Sequence, residues 1–354
     1  MAEPLRVALL GYGLAGRVIH RPPLLSVPDL VISHVVTGDP GRRQEAAQDL
    51  PGAALVASAD ELWQRADEVD VVVVATGNAV HVEQATAALD LGKAVVVDKP
   101  VALTAQDAAA LAAHARRVGA PLSAFHNRRW DSDTLTAQAL IASGRLGTVH
   151  RLESRFTRFR PQVQQRWREQ AGSGGVLLDL GTHLVDQALL LLGPVVWVCA
   201  QVATLRAGAT VDDDALLVLR HASGASSLLW CSAAAPWPGP RIVLQGSRAG
   251  WSKQDLDGQE DAARRGAPPA PEPDGSVWDE NGRHPEPSLP GDWAAFYRGF
   301  ARAVRGDGPV PVDPDDAVGV LRVLEAARRS AETGQTVRLP SVEDGSTAEP
   351  VVLV

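Results

Sequence analysis

Cysteine is nearly absent: Cys199 and Cys231 are the chain's two thiols, and each falls inside an apolar run. Thiols so placed predict two buried side chains rather than a disulfide framework or a thiolate metal site. No apolar run approaches the roughly 18 residues that a membrane-spanning helix needs. The chain opens almost at once into a strand-like run at Leu5, without a charged and apolar leader, so a cytoplasmic protein with no membrane partner is expected. Basic residues are also in deficit. With 34 Lys and Arg against 42 Asp and Glu the formal net charge is −8, which implies no phosphate-tracking surface and no nucleic-acid partner. What remains is the composition of a soluble globular protein, 45% hydrophobic and 21% charged, and 354 residues exceed one typical core, so two domains are expected.

The most informative stretch that is present is Val7-Ala-Leu-Leu-Gly11-Tyr-Gly-Leu-Ala-Gly16, an apolar run leading into G-x-G-x-x-G with an amphipathic run behind it. A strand, a glycine turn and a helix in that order suit a dinucleotide pyrophosphate. Gly11 permits the tight turn, Gly13 lets backbone approach the phosphates, Gly16 allows close helix-strand packing, and free N–H groups at the helix start meet the anion. Tyr12, Leu14 and Ala15 complete the candidate cofactor turn.

Through about residue 125, apolar runs (6–10, 31–36, 69–75, 94–97, 122–125) alternate with helical patterns at 79–91 and 105–117 and a capping box at Ser58-Ala-Asp-Glu61. Alternation of this kind predicts a parallel sheet covered on both faces. Beyond a helical pattern at 134–143 the character changes. Strand-like runs at 149–159, 195–206, 215–221, 226–232 and 241–245 follow one another with few helices between, which predicts an antiparallel or mixed sheet. Residues 255–290 are rich in Pro, Gly and acids and read as one long loop, and helical patterns at 292–304 and 314–333 close the chain.

Candidate chemistry lies where strands end. Lys99 follows the strand-like run at 94–97, in Asp98-Lys-Pro100, at the carboxyl edge where ligands of such sheets bind; its alternative is a rigid strand exit with a solvated cation. In Asp179-Leu-Gly-Thr-His183-Leu-Val-Asp186, spacings of four and three bring two carboxylates and an imidazole near one helix face. Such a set is a poor zinc or iron site without a further His or Cys, so no metal is expected, and it serves either proton transfer or structure. Two arginine-aromatic segments, His126-Asn-Arg-Arg-Trp-Asp131 and Arg155 to Glu169, carry Asn127, Arg128, Arg160 and Trp167. Fixed donors beside an aromatic face suit a polyhydroxylated ligand, while a solvated cationic face is the bland alternative.

Taken together, Gly11-Tyr-Gly-Leu-Ala-Gly16, Asn78-Ala-Val-His81, Asp98-Lys-Pro100 and Asp179-Leu-Gly-Thr-His183 resemble the Gfo/Idh/MocA oxidoreductases over about residues 4 to 338. Within that family, His126 to Asp131, Arg158 to Glu169 and Asp257-Gly-Gln-Glu-Asp261 resemble the bacterial subgroup that includes scyllo-inositol 2-dehydrogenases. The resemblance implies an α/β Rossmann domain (doubly wound parallel sheet, 1–125) and an α+β domain with a large open, mostly antiparallel sheet (126–340). That second domain would bind substrate and mediate a homodimer or homotetramer, with its last helices free to pack back on the first; 341–354 would be a tail. It also implies NAD(P)-dependent hydride transfer at a secondary alcohol or ketone of a cyclitol or sugar, scyllo-inositol favoured. His183 would be the base, Lys99 would polarise the reacting oxygen, and Asp179 would orient the substrate or the histidine; the first two roles could be exchanged. Thr37, Asp39, Thr76, Asn78, His81, Asp98 and Lys99 join the glycine turn as cofactor residues, and Asn127, Arg128, Arg160 and Trp167 would line the substrate pocket. Gly77 departs from the proline of many relatives, and Asp98 from the commoner Glu. A non-catalytic nucleotide-binding regulator, an NAD-dependent glycosidase and an enzyme of acidic or phosphorylated sugars are the alternatives.

Nucleotide choice turns on Asp39, just past the second strand, where an acid accepts from a ribose 2′-hydroxyl and repels a 2′-phosphate. In NADP-preferring relatives an Arg commonly stands there, so NAD is expected, against which Arg42 and Arg43 lie within reach of a phosphate if the loop folds back.

Overall fold

The computed structural model describes residues 3–340 apart from 165–168 and 170–173. The chain forms two compact units, and neither is continuous in sequence. The first takes residues 1–130, 258–270 and 292–318. Its strands are β1 (Leu5–Leu10), β2 (Leu30–Val36), β3 (Ala54–Val56), β4 (Val71–Val74), β5 (Ala94–Asp98) and β6 (Leu122–Phe125). They lie in the order β3-β2-β1-β4-β5-β6 with every pairing parallel. Val71 to Val74 are all at most 1% exposed, as expected of strands covered on both faces. Chain order runs outward from β1 in both directions, so the carboxyl ends of β1 and β4 flank the switch point where such sheets bind ligands.

Local chemistry sets the helix starts. Asp39, Ser58 and Thr104 are the N-caps of helices Pro40–Asp49, Ala59–Trp63 and Ala105–Val118, each accepting from a backbone N–H three residues on. Glu61 reaches back one residue beyond the cap, accepting from Ala57 N–H at 2.7 Å in place of the Ser58 N–H that a capping box uses. Of the six strands of this sheet, β3 alone has no counterpart in the sequence reading, because three residues are too short to show a period.

Arg6 holds the edge of β1 to Asp70, its Nε and Nη2 donating to the two carboxylate oxygens at 3.0 and 2.8 Å. This fork keeps the Asp70 carboxyl below the usual carboxylate range. A carboxyl depressed in the folded state contributes stability above its unfolded pKa of about 4 and loses it as pH falls through the folded value. Melting temperature should therefore drop on acidification below about pH 4, and Asp70→Asn should flatten that part of a calorimetric pH series. An unchanged slope in the variant would remove Asp70 from the account.

The second unit takes residues 131–257, 271–291 and 319–354. Nine strands form its sheet: β7 (Val149–Thr157), β8 (Val195–Ala203), β9 (Asp214–His221), β10 (Ser226–Ser232), β11 (Ile242–Gly246), β12 (Gly250–Lys253), β13 (Gly275–Asp279), β14 (Gly282–Glu286) and β15 (Val337–Arg338). Their order is β14-β13-β12-β11-β7-β10-β9-β8-β15, and β7 with β10 is the parallel pair among antiparallel neighbours. Helix Thr182–Leu192 packs on β7 and β10. Alternation marks the two faces: Ala215, Leu217 and Leu219 are buried, while Leu216 and Val218 are half-buried.

Two expectations are corrected here. Cys231 is buried but Cys199 is exposed, since its register partner is Val218, on the less buried face. Residues 255–290 are not one loop. They hold helix Gln259–Arg265 and the β13–β14 hairpin, which extends the sheet at one edge. Lys253, fully buried on β12, anchors the Pro-rich connection by donating to Glu272 Oε2 at 3.0 Å, the Pro273 carbonyl at 2.8 Å and Ser288 Oγ at 3.1 Å. Three acceptors use all three protons of the ammonium, the condition under which a buried charge is tolerated.

Candidate active site

At the end of β1 the three glycines have different work. Gly11 has φ +92°, and a Cβ there would stand 2.5 Å from the Ala75 carbonyl oxygen; at Gly16 it would stand 2.0 Å from the Gly11 carbonyl oxygen. Neither position accepts a side chain. A Cβ on Gly13 would meet only the Arg42 guanidinium, at 3.7 Å, so space is left above the middle of the turn where a pyrophosphate can approach. Behind it, Ala15–His20 winds as a widened π-type turn. The Tyr12 ring is in the core with its hydroxyl donating to Asp49 Oδ2 at 2.9 Å, and burial pushes its pKa well up, whereas Leu14 is exposed.

Around this turn the remaining cofactor candidates serve the loop geometry. Thr37 is buried, with its N–H on the Val56 carbonyl. Asp39 caps the helix Pro40–Asp49 by accepting from Arg42 N–H at 2.8 Å. Thr76 donates its hydroxyl to Gln84 Oε1 at 2.7 Å, and Asn78 is half-buried in the turn Asn78–Val80. His81 is fully buried with Nδ1 2.8 Å from the Pro100 carbonyl and Nε2 3.2 Å from the Thr76 carbonyl. It therefore braces the β4 exit against the Lys99–Pro100 turn, whose peptide bond is cis.

Lys99 stands half-buried just past β5, and its N–H donates to Asp98 Oδ1 at 2.8 Å. Burial raises the Asp98 pKa, but His20, then Lys99 and His81, more than offset this and leave the carboxyl below its ordinary value. His20 is wholly buried, its Nε2 3.8 Å from Asp98 and its Nδ1 against the Tyr297 hydroxyl. Burial likewise pushes the Tyr297 hydroxyl pKa up. Sequence reasoning missed His20 and Tyr297, which stand 277 residues apart and carry no shared local pattern.

In the second unit, Asp179 lies half-buried on another widened turn, Leu177–Gly181, which runs directly into the helix carrying His183 and Asp186, 5% and 1% exposed. Such π-type turns are uncommon and recur at functional sites. The His183 ring is stacked on Phe156 of β7, with centroids 6.0 Å apart and planes 24° from parallel. Over the same Phe156 ring lie the guanidinium carbons of Arg158 at 5.0 Å and Arg241 at 5.6 Å. Arg241 is itself 4% exposed: it pairs with Asp133 at 2.9 Å and donates to Ser154 Oγ at 2.7 Å and Gln187 Oε1 at 2.8 Å. Removing one member of a buried pair of this kind typically costs about 3–5 kcal/mol, so the network fixes the wall on which His183 rests. Arg241 was also missed, since a lone Arg near a strand end gives no signal, while Phe156 falls in the arginine-aromatic segment from Arg155 to Glu169 without having been marked as a site residue.

The proposed substrate residues fall in both units. Asn127 and Arg128 are buried in the turn Asn127–Trp130, and Arg128 pairs at 3.0 Å with Glu260 of the Gln259–Arg265 helix. Arg160 is exposed, with its N–H on the Ala233 carbonyl at 2.8 Å. Trp167 lies outside the described residues.

Residues 5–126 match the oxidoreductase family with an NAD-binding Rossmann fold, and residues 134–252 match the GFO/IDH/MocA C-terminal domain. The scyllo-inositol 2-dehydrogenase (NADP(+)) IolW of Bacillus subtilis is 34% identical over 95% of this chain and 96% of its own length. The uncharacterised oxidoreductase YdgJ of Escherichia coli is 36% identical over 96% of this chain and all of its own. Among solved structures, the Bacillus subtilis oxidoreductase yvaA superposes with a TM-score of 0.90 at 34% identity, covering 96% of this chain and 99% of that one. The chain belongs to the Gfo/Idh/MocA oxidoreductase family.

As a Gfo/Idh/MocA protein it is an oxidoreductase with an NAD(P)-binding Rossmann domain. Over Gly13 a Cβ would meet only the long Arg42 side chain, at 3.7 Å, and the glycines on either side admit no side chain, an arrangement that fits that nucleotide. The match to the Rossmann part contains the glycine turn, the Thr76–His81 loop and Lys99; the match to the C-terminal domain contains Phe156, Asp179, His183 and Arg241. Among the described residues, no cluster of three His, Cys, Asp or Glu could hold a metal, and no helix is long and apolar enough to cross a membrane.

Proposed function

We propose that this oxidoreductase transfers a hydride between a nicotinamide and a secondary alcohol or ketone carbon of a cyclitol or sugar, scyllo-inositol being favoured. The supporting observation is the placement of Lys99 beside the anchored Asp98 carboxylate, at the carboxyl edge of the Rossmann sheet next to a glycine turn shaped for the nucleotide. The printed activity of IolW supports the substrate class. Gly11, Gly13, Gly16 and the backbone between them would hold the pyrophosphate. Bound NAD(P) supplies the hydride acceptor or donor. His183 takes the hydroxyl proton, Lys99 stabilises negative charge developing on the same oxygen, and Asp179 orients the substrate or the histidine. Asn127, Arg128, Arg160 and Trp167 remain the proposed substrate-recognition residues.

Assay of cyclitols and aldoses with NAD and with NADP should give net reduced nucleotide, fastest with a cyclitol. Glycoside cleavage without net reduction, or nucleotide binding without turnover on the panel, would overturn the reading.

The less buried face of the second sheet is proposed as a self-association surface. Across it run Cys199, Val218, Leu228 and Glu153 in one register row, an apolar strip with a polar margin. Light scattering should return the mass of a homodimer or homotetramer. A monomer at micromolar concentration would refute it.

A further inference from the structure

We infer that Arg42 is the residue that sets nucleotide choice, and that it selects NADP by binding the 2′-phosphate. The inference rests on the nucleotide site at the glycine turn. On sequence alone Asp39 meets the ribose and NAD follows; the structure employs that carboxylate differently. Asp39 is the N-cap of helix Pro40–Asp49, with Oδ1 accepting from Arg42 N–H at 2.8 Å. A capping carboxylate is restrained toward the helix, and its charge is offset there by the N-terminal end of the dipole.

The same first turn carries the guanidinium. A Cβ built on Gly13 would stand 3.7 Å from Arg42 Cζ and Nη1 and 4.0 Å from Nη2, so the group hangs directly over the turn that receives the pyrophosphate. The 2′-oxygen of a dinucleotide sits on the ribose next to that pyrophosphate, one swing of a long side chain away. Neighbouring cations are engaged elsewhere. Arg43 Nη2 donates to the Leu55 carbonyl at 2.8 Å, Arg17 pairs with Glu45 and Asp49 at 2.7 and 2.8 Å, and Arg21 pairs with Asp49 at 3.1 Å. Among the described residues the Arg42 guanidinium makes no hydrogen bond or ion pair, which leaves its five donors for a ligand. From Thr37 to Arg43 the charges are Asp39, Arg42 and Arg43, a net of one positive charge, so an added phosphate is not repelled by the segment as a whole. A planar fork matches a phosphate in two-point fashion, as a lone ammonium does not.

The test is calorimetric binding to the native chain with four ligands: NAD, NADP, AMP and adenosine 2′,5′-bisphosphate. The bisphosphate should bind about tenfold or more tightly than AMP, a margin expected of a charge-assisted two-point contact, and rising salt should weaken it more than AMP. Arg42→Gln should weaken the bisphosphate by about tenfold or more and AMP by far less, closing the gap between them, and Arg42→Lys should recover only part of the loss. Asp39→Asn, which still caps the helix, should keep or widen the preference. Equal binding of AMP and bisphosphate by the native chain, or equal loss of both in Arg42→Gln, would overturn the assignment while leaving the nucleotide site intact. Failure of all four ligands to bind would overturn the site and Arg42's role together.

Discussion

Lys99→Ala and His183→Ala should each lower kcat by about 10²-fold or more, the scale of a lost general acid-base or charge-stabilising group. Nucleotide affinity should hardly change in His183→Ala, and in Lys99→Ala it should fall much less than kcat, because the main role of both residues is assigned to the substrate oxygen. Lys99→Ala should not endanger the fold in the way a core change does. Lys99 is half-buried at a strand exit, where its backbone N–H donates to Asp98 Oδ1. His183 is buried against Phe156, so a conservative His183→Gln should accompany it to separate lost chemistry from lost packing. The double variant should be far less impaired than the product of the two losses, as expected when two groups serve one proton and one oxygen. Steady-state rates with the best cyclitol from the panel decide the matter. Normal turnover in both single variants would remove the catalytic assignment and favour a nucleotide-binding regulator.

The second large effect belongs to the glycine turn, where the three positions should fail in different ways. Gly13→Val should fold, since a Cβ there meets nothing closer than 3.7 Å, yet lose nucleotide affinity by about 100-fold or more, equivalent to about 2.7 kcal/mol, because the side chain fills the space the pyrophosphate requires. Gly16→Val should instead damage the protein itself. Its Cβ would stand 2.0 Å from the Gly11 carbonyl oxygen, a backbone atom that cannot swing aside, and overpacking of this kind costs about 1–3 kcal/mol or more. Thermal melts and calorimetry on the same samples read the contrast. A Gly13→Val protein that binds the nucleotide normally would refute the dinucleotide site, and a Gly16→Val protein with an unchanged melt would refute the close packing of β1 on the segment behind it.

Much of the molecule was legible because its signals are local. The glycine turn, β10 at 226–232 and the closing helix at 314–333 follow from glycine chemistry, apolar runs and helical spacing, each carried by residues near in sequence. The β13–β14 hairpin was not legible. Its strands are five residues each, one of them holds Pro285, and their pairing with β12 depends on a sheet edge that no local pattern describes. Cys199 was misplaced for a similar reason: an apolar run indicates a strand, but which face of that strand stays open depends on what packs against the sheet.

By itself the sequence determined the family, the two kinds of sheet and the glycine turn, and it named Lys99, Asp179 and His183 as candidates, because these rest on short motifs and on periodicity. Only tertiary structure decided which partners surround them. Tyr297 reaches His20, whose other ring nitrogen faces Asp98, and Arg241 joins Asp133 beside the Phe156 ring on which His183 stacks. It also turned Asp39 into a helix cap and set Arg42 over Gly13. Such contacts join side chains from separate elements, and their energies depend on burial and distance, quantities that exist only once the chain has closed on itself.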